Sequence, residues 1–207
     1  MTEPAVKAEV ADVTPGIVRA LWRHMMRLYK SSVFEKRRAP EMYLVAEALA
    51  RLGIADREGF MREWSTTLGR RIYVPFTIGV AANSDALWNQ IVTAVHEHQH
   101  VAQYEADGLG FMGSYLLSDA ARAKYETDAY RSNLELHWWR YGELLGAEEL
   151  AEKLRGYAVS EGDIEVAAKT LKVSADAVRH GAVINEASLV AIRWLNANAS
   201  QLAAQGG

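Results

Sequence analysis

The sequence predicts a mostly helical α+β protein. Three observations point there: long runs in which apolar residues recur every three or four positions, a single β-branched and aromatic segment, and helix-capping residues or glycines at the breaks between them. The chain has 207 residues, of which 50% are hydrophobic, 24% are charged and only four are proline, enough apolar material for a sizeable core.

Residues 1–15 mix charge, Ala, Thr and Pro without a period and are expected to be a flexible N-terminal tail. A core domain is then expected over 16–146. Its first two helices are "GIVRALWRHMMRLY" and "PEMYLVAEALARLG", the second with Pro40 near its start and Gly53 at its end. His24, in the first, is a packed or surface histidine. A short helix is expected around Phe60 to Thr67. "RRIYVPFTIGV" reads as an edge strand, because Pro75 lacks the N–H that a central strand needs. Next comes a helix of about twenty residues, capped by Asn83 or Ser84, with Asp85 in its first turn and Gly108 at its end. "FMGSYLLSD" reads as a short helix or turn, and "AARAKYETDAYRSNLELHWWRYGELLG" as a second long helix closing at Gly146. Residues 147–207, broken at "YAVSEGD", "LKVSAD" and "HGAVINEAS", are expected to form a helical subdomain.

The net charge of −3, with no concentrated basic patch, speaks against nucleic acid as a partner. No apolar run reaches the length of a membrane span or a signal-peptide core, so a soluble, cytoplasmic protein is expected. With no cysteine, disulfides and thiolate metal sites are excluded. Any metal must be held by histidine and carboxylate.

The stretch "AVHEHQHVAQYE" has histidines at 96, 98 and 100. At about 100° per residue, His96 and His100 share one face of a helix and His98 is rotated by about 200°. His98 falls with Ile91, Val95 and Ala102, as a packed, hydrogen-bonded histidine would. The remaining pattern is His96-Glu97-x-x-His100, in which one turn of helix brings two imidazoles to a single zinc ion. Glu97, at the edge of that face, can reach a water on the metal and act as base rather than ligand. Thr93, His96, Glu97, His100 and Gln103 together form a polar stripe.

A third protein ligand should follow. "YETDAYRSN" offers Glu126, with the small Ala129 one turn on. In this the sequence resembles the gluzincin group of zinc metallopeptidases, in which an H-E-x-x-H helix is followed by a helix supplying a glutamate ligand. The resemblance covers about Arg70 to His137 and extends to element order, which is similar to that of thermolysin-like peptidases. It implies a zincin-like fold and His96, His100 and Glu126 as ligands of Zn2+. Glu105, Asp107 and Asp119 are the alternative third ligands. Many gluzincins carry an aspartate four residues after the ligand glutamate, bracing a ligand histidine; this chain has Tyr130, and Asp128 is not expected to substitute, since it faces away from Glu126 on the same helix.

The function so implied is zinc-dependent hydrolysis of a peptide or protein substrate, with a zinc-bound water activated by Glu97. Tyr115, Tyr125, Tyr130 and His180 are candidates to stabilise the oxyanion, His137 could line the same cleft, and the edge strand could pair with an extended substrate. Two other readings use the same residues: a binding module with a structural metal site, and a zinc hydrolase acting on a non-peptide amide or ester.

Overall fold

The computed structural model describes residues 10–51, 53 and 56–204. Helix α1 (Pro15–Leu28) starts where Thr14 Oγ1 accepts the Ile17 N–H and Pro15 takes the first turn, and it buries Val18, Leu21, Trp22 and Met25. Ahead of it, Val13 is already buried and its N–H donates to Ser84 Oγ at 2.9 Å. Thus 10–15 are tied to the core; the rest of the expected tail lies outside the described residues.

Strand β1 (Ser32–Glu35), a 3-10 turn (Lys36–Arg38) and α2 (Pro40–Arg51) follow. Then come α3 (Arg57–Arg62), β2 (Thr66–Leu68) and β3 (Arg71–Val74). The three strands form one mixed sheet in the order β1-β3-β2, with β1 parallel and β2 antiparallel to β3. The expected edge strand is therefore the central one. Pro75 lies just past the last residue of β3, where its missing N–H costs the ladder nothing. The expected helix over Phe60 to Thr67 ends early, at Arg62, and Thr66 and Thr67 enter β2.

β3 alternates between two cores. Ile72 and Val74 pack with α1, α4 (Ser84–Asp107) and α9 (Glu186–Asn198), while Tyr73 faces Ala39 and Met42 on the other side. The H-E-x-x-H helix thus packs on the sheet. Asn83 caps α4, its Oδ1 accepting the Ala86 N–H at 2.8 Å, and Gly108, at φ 59°, turns the chain into α5 (Leu109–Leu117).

Helix α6 (Asp119–Tyr141) lies between cores. Its Leu136 joins the α1, α4 and α9 cluster, whereas Tyr130 and Leu134 pack with α7 (Ala147–Glu152) and α8 (Glu161–Arg179). Residues 147–204 are accordingly shared between two cores, because α9 returns to α1 and α4. Two buried polar side chains dock the start of α9. Glu135 Oε1 accepts the Ile184 and Asn185 N–H groups, and Gln99 Oε1 accepts the Ala187 N–H. "HWW" serves packing: Trp138 lies against the α7 and α8 core, and Trp139 stacks on Trp88 with centroids 6.2 Å apart. No helix among the described residues is long and apolar enough to cross a membrane.

His98 has no exposed surface. Its Nδ1 lies 2.6 Å from the Ala94 carbonyl and its Nε2 2.9 Å from Ser31 Oγ, so Nδ1 carries the proton and the serine hydroxyl donates to Nε2. Burial pushes its pKa down to about 4, only partly opposed by the Ala94 carbonyl. The folded chain keeps His98 neutral, while the unfolded chain protonates it near 6.5. Stability from this residue is full above about pH 6.5 and is lost as the pH falls towards 4, on the order of 3 kcal/mol in all. Urea unfolding at pH 7 and pH 4.5 should therefore show a smaller acid-induced loss for His98→Gln than for wild type.

Candidate metal centre

The first two residues of interest come from α4 and the third from α6. His96, His100 and Glu126 are 8%, 5% and 1% exposed, and their ligand atoms all lie within 4.8 Å of one another. His96 Nε2 is 3.4 Å from Glu126 Oε2, and His100 Nε2 is 3.4 Å from Glu126 Oε1. Ligands about 2.0–2.2 Å from a tetrahedral ion stand about 3.3–3.6 Å from one another. Both spacings fit. Glu126 Oε2 is moreover buried without a hydrogen-bond partner among the described residues, as an atom meant for an ion would be. Two imidazoles and a carboxylate suit zinc and other first-row divalent ions.

Neighbouring groups orient these ligands. Gln103 Nε2 donates to Asp128 Oδ2 and to the Tyr125 carbonyl, which leaves its Oε1 facing His100 Nδ1 at 2.8 Å. Whenever His100 is neutral, its one proton is then on Nδ1, and Nε2 presents a lone pair to the cluster. Asp128 also accepts from Gln99 and pairs with Arg131. The bracing carboxylate is thus Asp128, acting across Gln103. Tyr130 instead packs its ring edge-on to His96, with centroids 5.0 Å apart. The signal for Gln103 was its place on the polar stripe; Asp128, set aside because it faces away from Glu126, does serve, because Gln103 bridges it to His100.

Burial alone would lower the pKa of His100, but the Glu126 carboxylate beside it raises it to about 9. Burial alone would raise Glu126; His100 and His96 hold it well below the usual carboxylate range. Glu97 is buried next to the cluster, and Thr67 Oγ1 on β2 donates to its Oε2 at 2.7 Å. Behind Phe60, the buried Lys36 donates to the Phe60 carbonyl at 2.8 Å, its pKa pushed down to about 7 by burial against the opposing pull of Glu97.

Tyr115 on α5 donates its hydroxyl to Glu126 Oε1. Burial and that carboxylate drive its pKa well above the usual value. Tyr115 and Tyr157 line a cavity of about 140 Å³ together with His96, Glu97, His100 and Glu126. Tyr157, from the 3-10 turn Lys153–Tyr157, carries no recognisable sequence motif, yet its ring lies 5.0 Å from that of Trp64. The buried Arg122 fastens both tyrosines through their carbonyls, to Tyr115 at 2.9 Å and to Tyr157 at 2.7 Å.

The other candidates lie elsewhere. Tyr125 donates to Asp107, Glu105 pairs with Arg70, and Asp119 pairs with Arg122, so none of the three alternative carboxylates joins the cluster. His180 is exposed with its Nδ1 on the Asp176 carbonyl, and His137 bonds the Glu143 carbonyl away from the cavity. Comparison with protein-family models, curated proteins and solved structures finds no match for this chain. The site's own chemistry is what bears on function.

Purified protein should hold about one metal ion per chain by elemental analysis. His96→Ala, His100→Ala and Glu126→Ala should each abolish stoichiometric binding, and His98→Ala should keep it. Gln103→Met, which keeps size but frees the His100 ring, should weaken metal affinity about 10–100-fold in a chelator competition.

Proposed function

We propose that this protein is a zinc-dependent metallopeptidase, with His96, His100 and Glu126 holding the metal and Glu97 acting as general base. The observation that carries the reading is the placing of Glu97: buried on the same cavity wall as the two imidazoles, but absent from the three-residue cluster. A metal that only fastened α4 to α6 would need no extra buried carboxylate beside it.

A zinc ion at this site would act as a Lewis acid towards a substrate carbonyl and bring the pKa of a bound water towards about 7. Glu97 takes a proton from the attacking water and returns it to the leaving amine. Thr67 holds the Glu97 carboxylate through Oε2, leaving Oε1 free for that exchange. His100, braced by Gln103, keeps its Nε2 lone pair turned inward. With the Tyr115 hydroxyl donated to Glu126 Oε1, Tyr157 is the tyrosine on the cavity wall that can donate to a developing oxyanion.

The sheet also supports a peptide substrate. β2 is an edge strand, paired with β3 on one side only, and Thr66, Thr67 and Leu68 line the cavity. An extended peptide adding to that edge would lie along the wall that carries Thr67 and its partner Glu97. The pairing edge is therefore β2, in place of the segment around Pro75.

Glu97→Gln should keep metal and fold while lowering the turnover of a cleaved peptide by about 10²- to 10⁴-fold. Metal content, circular dichroism and cleavage of a peptide library measure the three quantities. Full metal occupancy with no cleavage by wild type, and identical behaviour of the variant, would leave the site as a structural fastener.

A further inference from the structure

We infer that the outer face of α1 is a docking surface for a short, extended acidic segment of a partner protein, one carrying carboxylates at alternate positions. This surface is separate from the metal centre and does not depend on the peptidase reading.

The net charge of −3 conceals a segregation. Residues 19–38 hold seven lysines and arginines against one glutamate, a net +6, so the other 187 residues carry −9. The expected absence of a concentrated basic patch is thus corrected. Part of the positive charge is already engaged: Lys36 is buried on the Phe60 carbonyl, and Arg37 and Arg38 pair with Glu35. What stays open is a row on α1, with Arg19, Arg23 and Arg27 exposed one turn apart. Arg19 gives Nη1 to the Gly79 carbonyl and Arg23 gives Nε to the Arg19 carbonyl, which leaves further donors on both. None of the three forms an ion pair among the described residues.

Arg23 and Arg27 edge an open groove of about 470 Å³ between α1 and α9, together with Met26, Ser31 and the half-buried Trp194. The indole, its ring centroid 6.0 Å from that of His24, supplies an apolar wall beside the guanidinium groups. Helix α1 meets α4 through Trp22 and Tyr29, whose rings pack on His98. Because His98 is turned about 200° from His96, the groove lies on the side of α4 away from the metal centre.

Spacing and charge select the occupant. Four residues of helix rise about 6 Å, so the row spans about 12 Å. An extended peptide places same-face side chains about 6.7 Å apart, so carboxylates at i, i+2 and i+4 match the row. Each arginine can take a carboxylate through two parallel N–H groups. The row is also short and bounded by acids. Asp12 is exposed just ahead of α1, Glu186 lies near the Tyr29 hydroxyl, and Glu105, paired with Arg70, lies near Lys30. A nucleic acid or an anionic bilayer would extend past these carboxylates onto a surface that repels it, at distances within the screening length of about 8–10 Å. A segment of five or six residues touches the row alone.

The test is the fluorescence anisotropy of a labelled peptide, Glu-Ala-Glu-Ala-Glu-Phe, titrated with full-length protein. It should bind at about 50 mM salt and lose about tenfold in affinity at about 0.5 M. Arg23→Gln/Arg27→Gln, at two exposed positions, should keep its circular dichroism and bind about tenfold more weakly, whereas Arg62→Gln on α3 should change nothing. Moving the glutamates together, as Ala-Ala-Glu-Glu-Glu-Phe, should weaken binding about fivefold, because adjacent carboxylates point to opposite sides of an extended chain. No binding of the alternating peptide, equal binding by the double variant, or equal affinity for the two arrangements would each overturn the docking surface. Tighter binding of a ten-nucleotide single-stranded DNA or of phosphatidylserine vesicles, lost in the same double variant, would overturn it too and assign the row to another polyanion.

Discussion

A carboxylate with 1% of its surface exposed, held between two imidazoles, is the constraint on which the rest of this structure depends. Removing Glu126 from water costs several kcal/mol unless its charge is matched. His100, whose pKa it raises, matches it, and an ion would match it better, since Oε2 has no hydrogen bond among the described residues. To bring the three together, α4 and α6 must pack side by side. Ala129, fully buried one turn after Glu126, is small enough to permit that approach.

The surroundings divide into two unlike halves. On one side, Gln99, Gln103, Asp128, Arg131 and Asn185 form a connected polar network that also anchors α9. It fixes the direction of the His100 ring and couples that ring to the closing helix of the main core. On the other side, the cavity is walled by aromatic and aliphatic side chains from elements before and after α4. The hydrogen-bonded back holds the charge in place, and the apolar front keeps polar groups away from it.

The H-E-x-x-H geometry was legible because it is local. The i and i+4 positions of a helix face the same way whatever the helix packs against, so His96 and His100 could be paired and His98 set aside from phase alone. The long helices, the cap at Asn83 and the stop at Gly108 were legible for the same reason. Strand order was not. β1 is four residues beside a basic turn, β2 is three residues, and the Pro75 that suggested an edge lies just outside the ladder. Short strands are defined by their partners, and partners are distant in sequence.

What the sequence by itself determined is therefore everything set within one helical turn: the paired imidazoles, the adjacent carboxylate and the buried phase of His98. The tertiary structure alone decided that Glu126 rather than Glu105, Asp107 or Asp119 meets them, that Asp128 braces His100 across Gln103, and that Trp64 and Tyr157 close an apolar cavity over the site. Side chains such as Trp64 and Tyr157 meet only when the chain closes on itself, and that closure depends on the packing of whole helices, which no local spacing encodes.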